Sequence, residues 1–194
     1  MKEYLAIKPT IHCDSIEEKD LVIPSFVVPI FTEQELEKEN DEENFELEIG
    51  YIHAHRFNLM YDYDSLVCWA DRIAGDLFRV AEYFFMNQKN YNEIKIYRYL
   101  FYIDRVYIEP QFRGRGFALR ALAMFLELFA KEEVVSCHPD PTEDLAKKFS
   151  QEQGKMLMRR YWSRLGLTNY NRKHNILWEP DWLLPSWISE KIYG

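Results

Sequence analysis

The sequence predicts a mixed α/β fold, a twisted central sheet flanked by helices, and three observations predict it. Residues 99–108 are rich in aromatic and β-branched types and stop at Pro110, which cannot donate to a sheet ladder. A two-glycine turn follows at once, and 117–131 then sets Leu, Ala, Met and Phe at helical spacing with no proline. Beyond it, a short apolar run at 134–137, a helical region from Thr142 to about Leu165, and a last strand-like run at 175–178 keep strand and helix alternating.

The elements before that point are of several kinds. Residues 4–11 and 23–31 read as short strands, and the prolines in the second suit an edge or a bend. From Phe45 the set Phe45, Leu47, Ile49, Tyr51 recurs every second residue, and His53, His55, Phe57 and Leu59 continue the parity, predicting a long half-buried strand or a hairpin. Asp64 or Ser65 is placed to cap a helix whose Leu66, Ala70, Ile73, Leu77, Ala81 and Phe84 form one stripe through residue 85. Gly166 is placed to close the later helical region, and 179–194 is a Trp- and Pro-rich tail.

Composition excludes several classes. The chain has 194 residues, 24 Lys plus Arg against 32 Asp plus Glu, seven glycines and eight prolines, which is the balance of a folded domain rather than a disordered or fibrous one. It contains no apolar run of the length that crosses a membrane. Its start lacks the apolar segment and cleavage site of a signal peptide, so a cytoplasmic, unprocessed protein is expected. Cys13, Cys68 and Cys137 are odd in number and widely spaced, which encodes neither a disulfide framework nor a zinc site. Segment 33–48 holds nine acids and one Lys38, so the whole net charge of −8 resides there, and a solvated loop or frayed helix is expected. The remainder is neutral overall, which argues against nucleic acid as a partner.

The residues that carry chemistry are Gln111-Phe112-Arg113-Gly114-Arg115-Gly116, between the strand ending Val106-Tyr107-Ile108 and the helix opening at Phe117. Two glycines let backbone approach a ligand, and the first turn of a helix offers unpaired N–H groups at its positive end, a setting suited to pyrophosphate. Arg113, Arg115 and Arg120 add charge nearby. No Lys-Ser/Thr follows the second glycine, as a P-loop requires, and the first glycine does not directly follow the strand, as in a dinucleotide fingerprint.

The run from Val106 to Gly116 resembles the acyl-CoA-binding motif of the GNAT superfamily of N-acyltransferases, V-x-P-x-x-R-G-x-G. Val134-Val135-Ser136-Cys137 resembles that family's fifth strand, and the run from Arg160 to Leu167 its helix ending in aromatic-x-x-Leu-Gly-Phe, with Leu167 where Phe is usual. The resemblance covers about residues 99–178, with 1–98 a divergent N-terminal half, and it implies one acyltransferase domain over 1–194. It implies acetyl-CoA as cosubstrate and an amine as acceptor. Carried over, Val106 and Ile108 pair with the pantetheine, Gln111 opens the loop, and Arg113, Gly114, Arg115, Gly116, Phe117 and Ala118 offer amides to the phosphates.

Acyl transfer to an amine also needs proton handling. Asp104 lies four residues before Ile108 on the same strand parity, and His138 ends the run 134–137; both are candidates for the base. Many relatives in the family place an acidic Tyr four residues before the glycine that ends the helix; here Trp162 holds that position, and Tyr161 is the neighbouring candidate, rotated by about 100° on an ideal helix. His53 and His55 share a strand face, a spacing that suits a metal, but a third ligand is not evident, so no metal is expected. Three functions remain open: an N-acetyltransferase acting on a small-molecule or protein amine, a non-catalytic acyl-CoA-binding domain, and a toxin-like enzyme acetylating aminoacyl-tRNA. The sequence leaves the oligomeric state open, a homodimer included.

Overall fold

The computed structural model describes residues 4–12, 21–35 and 44–192. Cys13 and the centre of the acidic segment, 36–43, lie outside the described residues. The fold is mixed α/β, an open sheet of eight strands with helices on both faces. Its strands are β1 (Ala6–Ile7), β2 (Thr10–His12), β3 (Ser25–Glu35), β4 (Asn44–Asn58), β5 (Tyr99–Ile108), β6 (Val134–Cys137), β7 (Asn169–Asn171) and β8 (Ile176–Glu179). The spatial order is β1-β3-β4-β5-β6-β8-β7, with β2 also on β3; among the described residues only β5 and β6 run parallel.

The expected strand over 4–11 is two strands, because Pro9 has no N–H for the ladder and separates β1 from β2. The run at 23–31 is neither an edge nor a bend: β3 lies between β4 and the β1/β2 pair. Pro29 is tolerated there because it stands where β1 and β2 part, between Val27, paired with Thr10, and Ile30, paired with Ile7. The flanks of the acidic segment are not loop or helix. Glu33 and Glu35 pair with Glu46 and Asn44, and Lys8 offsets the charge with an ion pair to Glu46.

β4 is one long strand, yet its predicted parity does not run unbroken. Ile30 pairs with Gly50 and Phe31 with Glu48, so Ile49 is an extra residue, and Ile49, Ile52 and Ala54 all enter the same core. Gly50 is required at this bulge: a Cβ there would lie 2.1 Å from the Tyr107 carbonyl oxygen. A second bulge follows, since His53 pairs with Arg105 and Ala54 with Ile103, leaving Asp104 extra in β5.

The helices are α1 (Tyr63–Ile73), α2 (Gly75–Phe85), α3 (Gln88–Ile94), α4 (Phe117–Phe129), α5 (Glu143–Ala146), α6 (Gln151–Ser163) and α7 (Ser186–Ile192). The single helix expected to 85 is two, broken at Ala74, which is extended just before Gly75, a poor helix former. Its cap is Asp62, which accepts from the Ser65 amide at 2.9 Å. The region from Thr142 also divides, because Ser150 and Gln153 form a capping box that starts α6 afresh. Neither α3 nor α7 was foreseen.

Alternation along β5 separates two cores. Phe101 and Ile103 join Phe26, Val28 and the buried side of α4, with Trp162, Leu165 and Trp182, on one face. Leu100 and Tyr102 join Phe57 and the apolar stripes of α1 and α2 on the other. Among the described residues, no helix is long and apolar enough to cross a membrane.

Candidate functional site

Two features of β5 frame the site. β6 pairs with β5 only over Leu100–Ile103, opposite Val134–Cys137, and then ends. Residues 104–108 therefore keep β4 on one side and, among the described residues, have no strand on the other. Backbone on that side is available to another extended chain of amides. Val106 and Ile108 lie on this stretch, facing the α4 core.

From Ile108 the chain passes through a short 3-10 turn, Pro110–Phe112, carrying Gln111, into Arg113-Gly114-Arg115-Gly116 and directly into α4. Gly114 and Gly116 have φ of 81° and 78°, the left-handed region that other residues enter at a cost. A Cβ at either would meet nothing within 4 Å, so the backbone conformation, not crowding, calls for glycine, and the space beside the loop is open. Gly116 is the N-cap of α4 and brings no side chain to its first amides, among them those of Phe117 and Ala118. Arg113 is committed to the loop itself: Nε donates to the Ile108 carbonyl at 2.8 Å and the guanidinium pairs with Asp144 at 2.7 Å. Arg115 and Arg120 lie over the Phe117 ring. Beside them a cleft of about 610 Å³ is lined by Arg115, Gly116, Arg120, Arg164, Trp187 and Lys191, among others. Four cations around one Glu190 and an indole suit a phosphorylated ligand carrying a flat ring.

The candidate acid and base residues divide among three places. The bulge removes Asp104 from the parity of Ile108 and turns it toward His53, whose Nδ1 is 2.8 Å from Oδ2. That hydrogen bond holds the Asp104 carboxyl below its usual range. Asp104 thus supplies the third ligand-type group that the sequence did not reveal beside His53 and His55; ligand atoms of the three lie within 4.8 Å of one another. His55 is buried, its pKa pushed down to about 4 by burial and then by His53. His138 receives or donates a hydrogen bond with the Tyr102 hydroxyl at 3.0 Å, and burial, followed by the charge of Arg79, pushes its pKa down to about 4. It is a neutral imidazole near pH 7 and a weak base. Tyr161 stacks edge-on against Trp162 at 5.0 Å beside the α4 core, and burial raises its pKa, which weakens it as an acid. Trp162, four residues before Gly166, is a core residue 8% exposed.

One polar residue escaped the sequence reasoning altogether. Ser25, at the start of β3, places its Oγ 2.9 Å from His53 Nε2. No local motif marks it, and only the β3–β4 register could have found it.

The chain matches no protein-family model and no curated protein. Among solved structures it is similar to AtaTR bound with acetyl-CoA, at a TM-score of 0.39 and 9% identity over 90% of this chain and 93% of that one. It is also similar to a point mutant of the AtaT toxin bound to the C-terminus of the antitoxin AtaR and acetyl-CoA, at a TM-score of 0.37 and 10% identity over 98% and 99% of the two chains. At these values the likeness bears on neither site nor substrate, and the site is argued from its own residues.

Proposed function

We propose that this chain is an acetyl-CoA-dependent N-acetyltransferase of the GNAT type, acting on a primary amine of a small molecule or a protein. The observation that carries the reading is that the side of β5 at 104–108 that no described strand pairs runs straight into a loop of two left-handed glycines at the head of α4. An extended pantetheine arm is a chain of amides, and this side of β5 has donors and acceptors to match it, the Ile108 carbonyl being the one already engaged, by Arg113 Nε. Pyrophosphate suits the loop and the first amides of α4, and the Arg115, Arg120, Arg164 and Lys191 cleft suits the 3′-phosphate and base.

In this reading the thioester lies where β6 leaves β5, next to Asp104. Main-chain amides there stabilise charge on the carbonyl oxygen, and binding of both reactants supplies proximity. The amine's proton passes to the Asp104–His53 pair, because His138, with its pKa near 4, is a poor acceptor at neutral pH. The thiolate departs without help from Tyr161, whose phenol is half-buried and of raised pKa.

Two measurements test the proposal. Calorimetry is expected to give a Kd in the micromolar range for acetyl-CoA, about −8 kcal/mol. Release of free CoA thiol is then followed over a panel of polyamines, lysine peptides and aminoacyl-tRNA. No binding overturns the reading. Binding without turnover on any amine favours a non-catalytic acyl-CoA-binding domain, which the replacement of the family's Tyr by the buried Trp162 also supports.

A further inference from the structure

We propose that Ser25, His53 and Asp104 form a nucleophile relay in which the Ser25 hydroxyl accepts acyl groups from activated esters and thioesters. The three residues come from three adjacent strands, β3, β4 and β5. Ser25 Oγ is 2.9 Å from His53 Nε2, and His53 Nδ1 is 2.8 Å from Asp104 Oδ2. Hydroxyl, imidazole and carboxylate follow one another, each ring nitrogen having one partner. In this arrangement a base takes the hydroxyl's proton as it attacks, and the carboxylate steadies the imidazolium.

The sheet holds the order in place. Ser25 pairs with His55, and Val27 with His53, so the serine is two residues along β3 from the partner of the ring it contacts, on the same face. The extra residue in β5 turns Asp104 to the far side of that ring. His55 stands edge-on to His53 at 4.7 Å and packs against its ring. The site is also reachable: the His53 and Asp104 side chains are 31% and 26% exposed, and Ser25 is half-buried.

The chemistry closes. Ser25 Oγ bonds to the acyl carbon as its proton moves to His53 Nε2, then the bond to the leaving sulfur or oxygen breaks and the leaving group takes that proton. Water, giving a proton to the same nitrogen, then bonds to the acyl carbon, the bond from that carbon to Ser25 Oγ breaks as Oγ takes the proton back, and the free acid is released. This activity does not depend on the acetyl-CoA reading, and its test uses neither CoA nor an amine.

The full chain is incubated near pH 7.5 with a fluorophosphonate, and peptides are mapped by mass spectrometry. One adduct on Ser25 is expected, absent in Ser25→Ala and formed about 100-fold more slowly, or less, in His53→Gln and Asp104→Asn, each checked for folding by circular dichroism. A p-nitrophenyl acetate burst that leaves Ser25 transiently acetylated gives a second readout. No adduct on Ser25 in the folded protein overturns the proposal, as does labelling at an unchanged rate in His53→Gln. Calorimetry with zinc ion alone is the third arm. Binding of one ion per chain that is lost in His55→Ala would make the cluster a metal site and overturn the relay.

Discussion

Asp104 Oδ2 and His53 Nδ1 are 2.8 Å apart, joined across a bulge that makes Asp104 an extra residue in its strand. The bond lowers the Asp104 pKa below its unfolded value of about 3.9. A group shifted in that direction adds stability at neutral pH that is lost as pH falls through the folded pKa. Asp104→Asn is therefore expected to be less stable than the wild type at pH 7 and to approach it only as pH falls below the ordinary aspartate range, as urea unfolding across an acid series will measure.

Gly114 separates ligand binding from folding. A Cβ at this position meets nothing within 4 Å, so Gly114→Ala costs only the left-handed backbone, about 1 kcal/mol, and leaves the fold intact. Gly114→Glu adds length and negative charge beside the loop and is expected to abolish acetyl-CoA binding. Equal affinity of wild type and Gly114→Glu in calorimetry would remove the loop from the mechanism.

His55 and His138 work against the protein in acid. Both have pKa values pushed down to about 4, against an unfolded value of about 6.5, so the unfolded chain binds the extra protons first. Stability is expected to fall as pH drops from about 6.5 toward 4, by about 3 kcal/mol for each group if both shifts are complete. Replacing either by Gln should reduce the slope of stability against pH in that window by about half, and an unchanged slope in both variants would show that neither ring is buried as described.

Tyr161→Phe keeps the aromatic contact with Trp162 and removes only a hydroxyl of raised pKa. On the mechanism above, kcat should change by less than about threefold and acetyl-CoA affinity not at all. A loss of 10²-fold or more in kcat alone would restore Tyr161 as the general acid.

How far the sequence spoke depended on how local the cause was. The run from Tyr99 to Ile108, the turn at Gly114 and Gly116, and the start of α4 at Phe117 were legible because proline, glycine and helical spacing act within a few residues. The break at Ala74 and the capping box at Ser150 are local too, and a closer reading of Gly75 and of Ser150 with Gln153 could have found them. The bulges at Ile49 and Asp104 were not legible, because each depends on which residue of a neighbouring strand stands opposite. The meeting of Ser25, His53 and Asp104 depends on two such registers at once and has no trace in any one segment. The tail gave the opposite surprise, since Trp182 is wholly buried in the core.

That burial sets the order in which the protein is completed during synthesis. Trp182 donates through its indole to the Leu165 carbonyl at 2.7 Å and exchanges main-chain hydrogen bonds with the 132–133 turn. A few residues later Trp187 and Lys191 supply a wall of the cationic cleft. A nascent chain that stops short of Trp182 thus has a hole the size of an indole in one core and a cleft open on one side. Synthesis must therefore pass Lys191 before the cleft has all of its walls, so the residues that complete one core and the cleft are among the last of these elements to be made.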